Sequence, residues 1–170
     1  MVRVVLTGPE STGKSMLTRS LADHFGGIGV PEYAREYIER LKRPYTEEDV
    51  LTIARHQAGQ FATPGNTDRP FFFDTGLIIT RVWLEVVYQA SYDWIDKALE
   101  NAGIDLYLLC YPDLPWEPDP LRENGGAMRF RLYEQYRVVL EAFGFPYHIV
   151  KGQGEERLNN AIFAVDQILK

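Results

Sequence analysis

Cysteine is nearly absent from this chain: Cys110, inside the apolar run "DLYLLCYP", is the single one among 170 residues. One thiol excludes a disulfide framework and a cysteine-rich metal site, and its apolar neighbours mark it as a buried strand residue. Long hydrophobic runs are missing too. No segment reaches the roughly 18 apolar residues of a membrane span, and the N-terminal "MVRVVLTGPES" lacks the apolar stretch of a secretory signal. A soluble, cytoplasmic protein with no membrane partner is therefore expected. Positive charge is in deficit, with 18 Lys+Arg against 24 Asp+Glu and a formal net charge of −6. Such a field repels a nucleic-acid backbone, so the expected partner is a small molecule and not a nucleic acid. Internal repeats and low-complexity tails are also lacking, and the length suits one domain over residues 1–170. Homo-oligomerisation is left open.

What is present alternates between two patterns. Runs rich in Val, Ile, Leu and Phe occupy residues 2–7, 70–74, 104–110 and 146–150, with a weaker one at "GIGVP". Continuously apolar runs of this length suit strands covered on both faces. Helical patterns lie between them. One starts at Lys14, with Leu17, Leu21 and Phe25 at helical spacing before "GG" stops it. Another begins at "YTEEDV", where Thr46 can cap and Val50, Ile53, Ala54, Ala58 and Phe61 form one apolar stripe. "GLIITRVWLEVVY" is apolar nearly all round and is expected to be buried. The last helix, residues 155–169, carries Leu158, Ala161, Ile162, Val165 and Leu169 on one side. This alternation predicts an α/β protein, a parallel sheet with helices on both faces.

The residues after the first strand, "GPESTGKS", match G-x-x-x-x-G-K-[ST] between a strand and a helix, the context that confirms a phosphate-binding P-loop. The glycines let successive backbone N–H groups turn inward, and the helix N-terminus adds its positive end. Lys14 would reach the β- and γ-phosphates of a nucleoside triphosphate, and Ser15 would place its hydroxyl on Mg²⁺. The expected nucleotide-binding set is Gly8 with Glu10, Ser11, Thr12, Gly13, Lys14, Ser15 and Met16. Across the sheet edge, "FFFDTG" ends in Asp74, which could hold Mg²⁺, directly or through water, or handle an acceptor hydroxyl, with Thr75 beside it. Its bland alternative is a cap for the following helix.

Three further features suggest an acceptor. In "VPEYAREY", Glu32 could take the proton of an attacking hydroxyl, Tyr33 could stack on a ring and Arg35 could bind an anion. In "ARHQAGQ", His56 and Gln57 flank the apolar stripe and could face the cleft, although a helix-surface or core-edge place suits the histidine equally. The third is residues 111–131, four prolines, a Gly-Gly pair and the arginines Arg122, Arg129 and Arg131 between a strand and a helix. It reads either as an exposed loop or as a lid whose arginines meet a transferring phosphoryl group when shut.

Together, "GPESTGKS", "PEYARE", "RHQ", "FFFDT" and "PWEPDPLRE" resemble the nicotinamide riboside kinase domain of the bifunctional bacterial regulator of NAD synthesis and the P-loop (AAA-type) ATPase/kinase family around it. The resemblance runs from the first strand to the last helix. It implies a P-loop NTPase three-layer sandwich of strand order 2-3-1-4-5, and phosphorylation of the 5′-hydroxyl of nicotinamide riboside with ATP and Mg²⁺. The catalytic set is then Lys14, Glu32, Asp74, Arg122 and Arg129; the acceptor set is Glu32, Tyr33, Arg35, His56, Gln57, Asp74 and Thr75; the metal set is Ser15 and Asp74. Glu32 and Asp74 are rival bases. Three departures stand out. That protein's nucleotidyltransferase and DNA-binding domains have no counterpart, so no repressor or adenylyl-transfer role is expected; "DPLR" replaces an Asp-Gly pair; and Gly76 stands where the family more often has a second aspartate. A kinase of another nucleoside or metabolite, and an ATP-binding regulatory module with a protein partner, are the alternatives.

Overall fold

The computed structural model describes residues 1–62 and 67–170. Five strands, β1 (Arg3–Thr7), β2 (Ile28–Val30), β3 (Phe71–Asp74), β4 (Leu106–Cys110) and β5 (Tyr147–Val150), alternate with seven helices among the described residues. These are α1 (Lys14–Phe25), α2 (Tyr33–Arg40), α3 (Glu47–Ala62), α4 (Leu77–Tyr88), α5 (Asp93–Glu100), α6 (Ala127–Ala142) and α7 (Gly154–Leu169). All strand pairs are parallel, in the order β2-β3-β1-β4-β5.

The sheet is apolar on both faces because successive side chains of each strand serve different cores. Val4 and Leu6 of β1, Phe72 of β3, and Leu106, Leu108 and Cys110 of β4 pack with Leu17 and Leu21 of α1 and Ala161 and Val165 of α7. Val5, Phe73, Tyr107 and Leu109 point the other way, into a larger core with α3, α4, α5 and α6. Period-two alternation between two helical layers gives runs that read as continuously hydrophobic. Burial drives the Tyr107 phenol and the Cys110 thiol above their ordinary values, consistent with inert core roles.

Helix α3 begins with a reciprocal cap. The Asp49 carboxylate takes a salt bridge from Arg43 at 2.7 Å, accepts the Thr46 N–H at 2.7 Å and hydroxyl at 2.9 Å, and accepts the Tyr37 hydroxyl at 2.9 Å. These donors hold the carboxyl well below the usual range. Among the described residues no helix is long and apolar enough to cross a membrane.

Four expectations change. Helix α5 has only 8 residues and no side-chain cap at Tyr92, which left it without a boundary signal. Helix α6 starts at Ala127, inside the segment read as loop, so Arg129 and Arg131 are helical; Gly126, at φ 57°, provides the turn. Leu169, the last residue of α7, is 40% exposed instead of joining the apolar side. Helix α4 is not wholly buried: Leu77, Ile78, Val82 and Leu84 enter the core, while Ile79, Trp83, Val86 and Val87 line a cavity.

Candidate active site

Parallel strands deliver their carboxyl ends to one edge of the sheet, and here the ends of β1, β2 and β3 supply the loop 8–13, Glu32 and Asp74. The loop is curled by backbone that favours glycine. Gly8 has φ +134° and a Cβ there would stand 2.7 Å from the Cys110 carbonyl oxygen, while Gly13 has φ +75°. Ser11 also takes a left-handed φ of 53°. Thr12 is buried and its hydroxyl donates to the Pro9 carbonyl at 2.8 Å, bracing the turn from inside. Lys14 Nζ spans the mouth, donating to the carbonyls of Gly8 at 3.0 Å and Pro9 at 2.8 Å. Ser15 and Met16 follow on the exposed first turn of α1, with Met16 73% exposed.

A cavity of about 570 Å³ extends from this loop. It is lined by polar and charged residues, Lys14, Ser15, Glu32, Arg35 and Arg122 among them, and by apolar and aromatic ones, Ile38 of α2, Tyr45 before α3, Trp83 of α4, and Leu132 and Tyr136 of α6. The Tyr45 and Trp83 rings meet edge to face at 4.8 Å. The carboxyl of Glu32 is raised above the ordinary carboxylate value chiefly by burial; Lys14 and Arg35 oppose the shift, and Asp74 and Glu10 add to it. Burial, with Glu10 and Glu32 nearby, also raises the Tyr136 phenol.

Asp74 is 5% exposed and its Oδ1 has no hydrogen-bond partner. It does not cap α4, whose cap position is Gly76 with no side-chain capping bond. Thr75, at φ 68°, turns the chain away, its N–H held by the Leu6 carbonyl at 3.0 Å. An orphaned buried carboxylate oxygen near the P-loop, with Ser15 at the helix start, fits a hard divalent cation shared with phosphates. Mg²⁺ needs no all-protein cage for this, and among the described residues no cluster of three or more His, Cys, Asp or Glu provides one.

Several expected residues stand elsewhere. Gln57 is 1% exposed, accepts the Thr80 hydroxyl between α3 and α4, and is not among the cavity's lining residues. The Tyr33 ring is stacked on His56, with centroids 3.5 Å apart and planes 11° from parallel, so one of its faces is taken within the protein. Neither ring is among the cavity's lining residues. Arg35 does line it, salt-bridged to Asp119 at 2.6 Å and Glu39 at 2.9 Å. Arg129 is buried and does not line the cavity; its Nη2 donates to the Ser11 carbonyl at 3.1 Å and the Leu114 carbonyl at 2.9 Å, tying the P-loop to the 111–126 segment. Arg131 faces solvent on α6.

Two groups of residues escaped the sequence. Arg157 of α7, 4% exposed, donates to the carbonyls of Thr12 at 2.8 Å and Tyr111 at 3.0 Å, and pairs with Asp113 at 2.7 Å. It fastens the P-loop to the ends of β4 and β5, and no local motif announces it. The aromatic wall was legible only indirectly, in the apolar excess around α4.

The curled loop, its lysine and the helix start, at the carboxyl edge of a parallel sheet, define the P-loop class of nucleotide-binding folds. Within it the chain belongs to the AAA domain family, whose model matches residues 3–157. The trifunctional NAD biosynthesis/regulator protein NadR of Salmonella typhimurium is 24% identical over 143 residues, 81% of this chain and 35% of that protein. A crystal structure of NadR protein in complex with NR is 25% identical with a TM-score of 0.84, covering 98% of this chain and 51% of that one. Thymidylate kinase from Ehrlichia chaffeensis, 11% identical, shares the fold at a TM-score of 0.70 over 99% of this chain and 98% of its own. The chain thus spans about a third of the length of the curated relatives it matches and about half of the solved NadR chain.

Proposed function

We propose that the chain is an ATP-dependent phosphotransferase of the cytoplasm that phosphorylates a small nucleoside, nicotinamide riboside first among the acceptors. One observation carries this reading: a single cavity is lined both by the phosphate loop and by apolar and aromatic side chains, with the Glu32 carboxyl among the lining groups. A hydrolytic switch has no use for such a chamber, whereas a kinase needs a ring-sized pocket that presents a hydroxyl to the γ-phosphate. The likeness to NadR, solved with NR, supports this acceptor.

In this reading Gly8 and Glu10 to Met16 form the donor site, where the backbone N–H groups of the loop bind phosphate oxygens. Ser15 and Asp74 hold Mg²⁺, which supplies charge neutralisation at the phosphates. Lys14 and Arg122 stabilise the charge of the phosphoryl group in flight. Glu32, with its proton affinity raised by burial, accepts the acceptor's hydroxyl proton; its partly desolvated carboxylate is a better base than a solvated one. The segment 111–126 acts as a lid that keeps water out, with Arg129 of α6 as its strut to the P-loop.

A second acceptor class stays in view because of Gly76. A Cβ there would stand 3.1 Å from Val5 Cγ1 and 3.2 Å from Phe61 Cζ, so a second carboxylate at this position would require those side chains to give by a few tenths of an ångström. Incubation with Mg-ATP and a panel of nucleosides, with ADP and phosphorylated product measured together, tests the reading. Product from nicotinamide riboside is expected. Product from another nucleoside alone would reassign the acceptor, and ADP formation indifferent to every nucleoside would refute the kinase reading.

A further inference from the structure

Glu10 occupies a variable position of the phosphate loop, yet its carboxylate is engaged by the segment that crosses it. Oε1 accepts the backbone N–H of Glu123 at 3.1 Å and the Asn124 side-chain amide at 3.3 Å. Oε2 accepts the Asn124 backbone N–H at 3.1 Å, with the Trp116 indole N–H at 3.5 Å. The next loop residue continues the seam, since Ser11 Oγ accepts the Glu117 N–H at 3.2 Å. Arg122, from the same segment, faces the cavity and donates to the Glu117 carbonyl at 2.6 Å. Trp116 lies against Gly125, where a Cβ would stand 3.3 Å from the indole. A carboxylate is otherwise a poor choice beside bound phosphates, because like charge repels. Its cost is offset when the charge is spent on several N–H donors of another segment, and such charge-assisted bonds are roughly twice as strong as neutral ones.

We propose that Glu10 is a positioning residue that latches the lid onto the phosphate loop, holding Arg122 over the cavity and so determining whether ATP is used by the acceptor or by water. The inference rests on the phosphotransfer reading above. In transfer, the bond from the γ-phosphorus to the β,γ-bridging oxygen breaks, a bond to the acceptor's hydroxyl oxygen forms, and the hydroxyl proton passes to Glu32. In the leak, a water oxygen takes the acceptor's place, giving ADP, inorganic phosphate and a proton. With the latch gone, water reaches the phosphates and the leak grows relative to transfer.

The test uses E10A and E10Q in the full chain, with two readouts. The first is ADP formed per phosphorylated nucleoside at saturating acceptor. It should rise several-fold in E10A, and less in E10Q, whose amide oxygen still accepts two N–H groups without the charge. The second is the rate of tryptic cleavage at the Arg122–Glu123 bond, whose N–H is the one Glu10 holds; it should rise several-fold in E10A. A lower turnover with an unchanged ADP-to-product ratio would mean a merely structural residue, and a wild-type value for either readout overturns the proposal. Cleavage needs no acceptor. A wild-type protein that phosphorylates no nucleoside therefore refutes the functional reading alone and leaves the latch to be judged by cleavage.

Discussion

The two ends of the cavity are built by different means. At the phosphate end, residues 8–15 are contiguous, and the recognising groups are backbone N–H groups shaped by Gly8, Gly13 and the start of α1. In the part proposed to take the acceptor, Ile38, Tyr45, Trp83, Leu132 and Tyr136 come from four separate places in the chain and contribute side chains. The first end is a property of one peptide, and the second exists only when α2, α4 and α6 converge. A shared backbone cradle can thus serve many acceptors, because the chamber beside it can change without disturbing the loop.

The largest expected effect falls on the phosphate end. Lys14→Ala should lower kcat/KM roughly a hundredfold to a thousandfold, about 3–4 kcal/mol, since it deletes a charge aimed at the migrating phosphoryl group. Steady-state kinetics decide this, and near-normal turnover would break the contrast at its root. Glu32→Gln should cut kcat by roughly a factor of 100 while leaving ATP affinity close to that of the wild type. Its pH behaviour sharpens the point. Because the folded carboxyl is raised above its ordinary value, activity should fall as pH drops through that raised value, and the variant should lose this acid limb. The same shift penalises the charged carboxylate in the folded state, so at neutral pH the variant should melt slightly higher; a lower melting temperature would contradict the burial argument.

Trp83→Ala should raise the acceptor KM roughly tenfold, about 1.4 kcal/mol, by removing aromatic surface from the chamber while the ATP KM stays put. Equal changes in both constants would erase the distinction between the two ends. The smallest effect belongs to the scaffold between α2 and α3. Asp49→Asn should cost about 1 kcal/mol of stability through the weakened α3 cap. Asp49's carboxyl is lowered in the folded state, so its contribution is fully present above the unfolded value near 4 and is lost as pH falls below it. Thermal melts across this range should show wild type and variant converging in acid; parallel curves would assign the cap no electrostatic share.

Particular residues show how far the sequence could be read. The runs at residues 2–7 and 104–110 announced β1 and β4 because both faces of the sheet are covered, which makes burial visible as composition. Lys14 announced the start of α1 because the motif and the helix overlap. For Tyr33, His56 and Gln57 the spacing on α2 and α3 leaves open which neighbour each side chain meets; the two rings stack on each other and Gln57 accepts from Thr80. Arg129 was expected as a lid arginine that meets the transferred phosphoryl group; its Nη2 donates to the Ser11 and Leu114 carbonyls. Helix α5 stayed invisible for want of length and a cap.

By itself, then, the sequence determined the parallel α/β layering and the phosphate loop with its lysine, because both depend on local periodicity and on φ values that only a few residue types tolerate. The tertiary structure alone decided that Trp83 and Tyr136 share a chamber, that Glu32 is desolvated beside Lys14, and that Glu10 binds the segment crossing it. Those relations join residues far apart in sequence, and only the packing of helices on the sheet brings them within reach of one another.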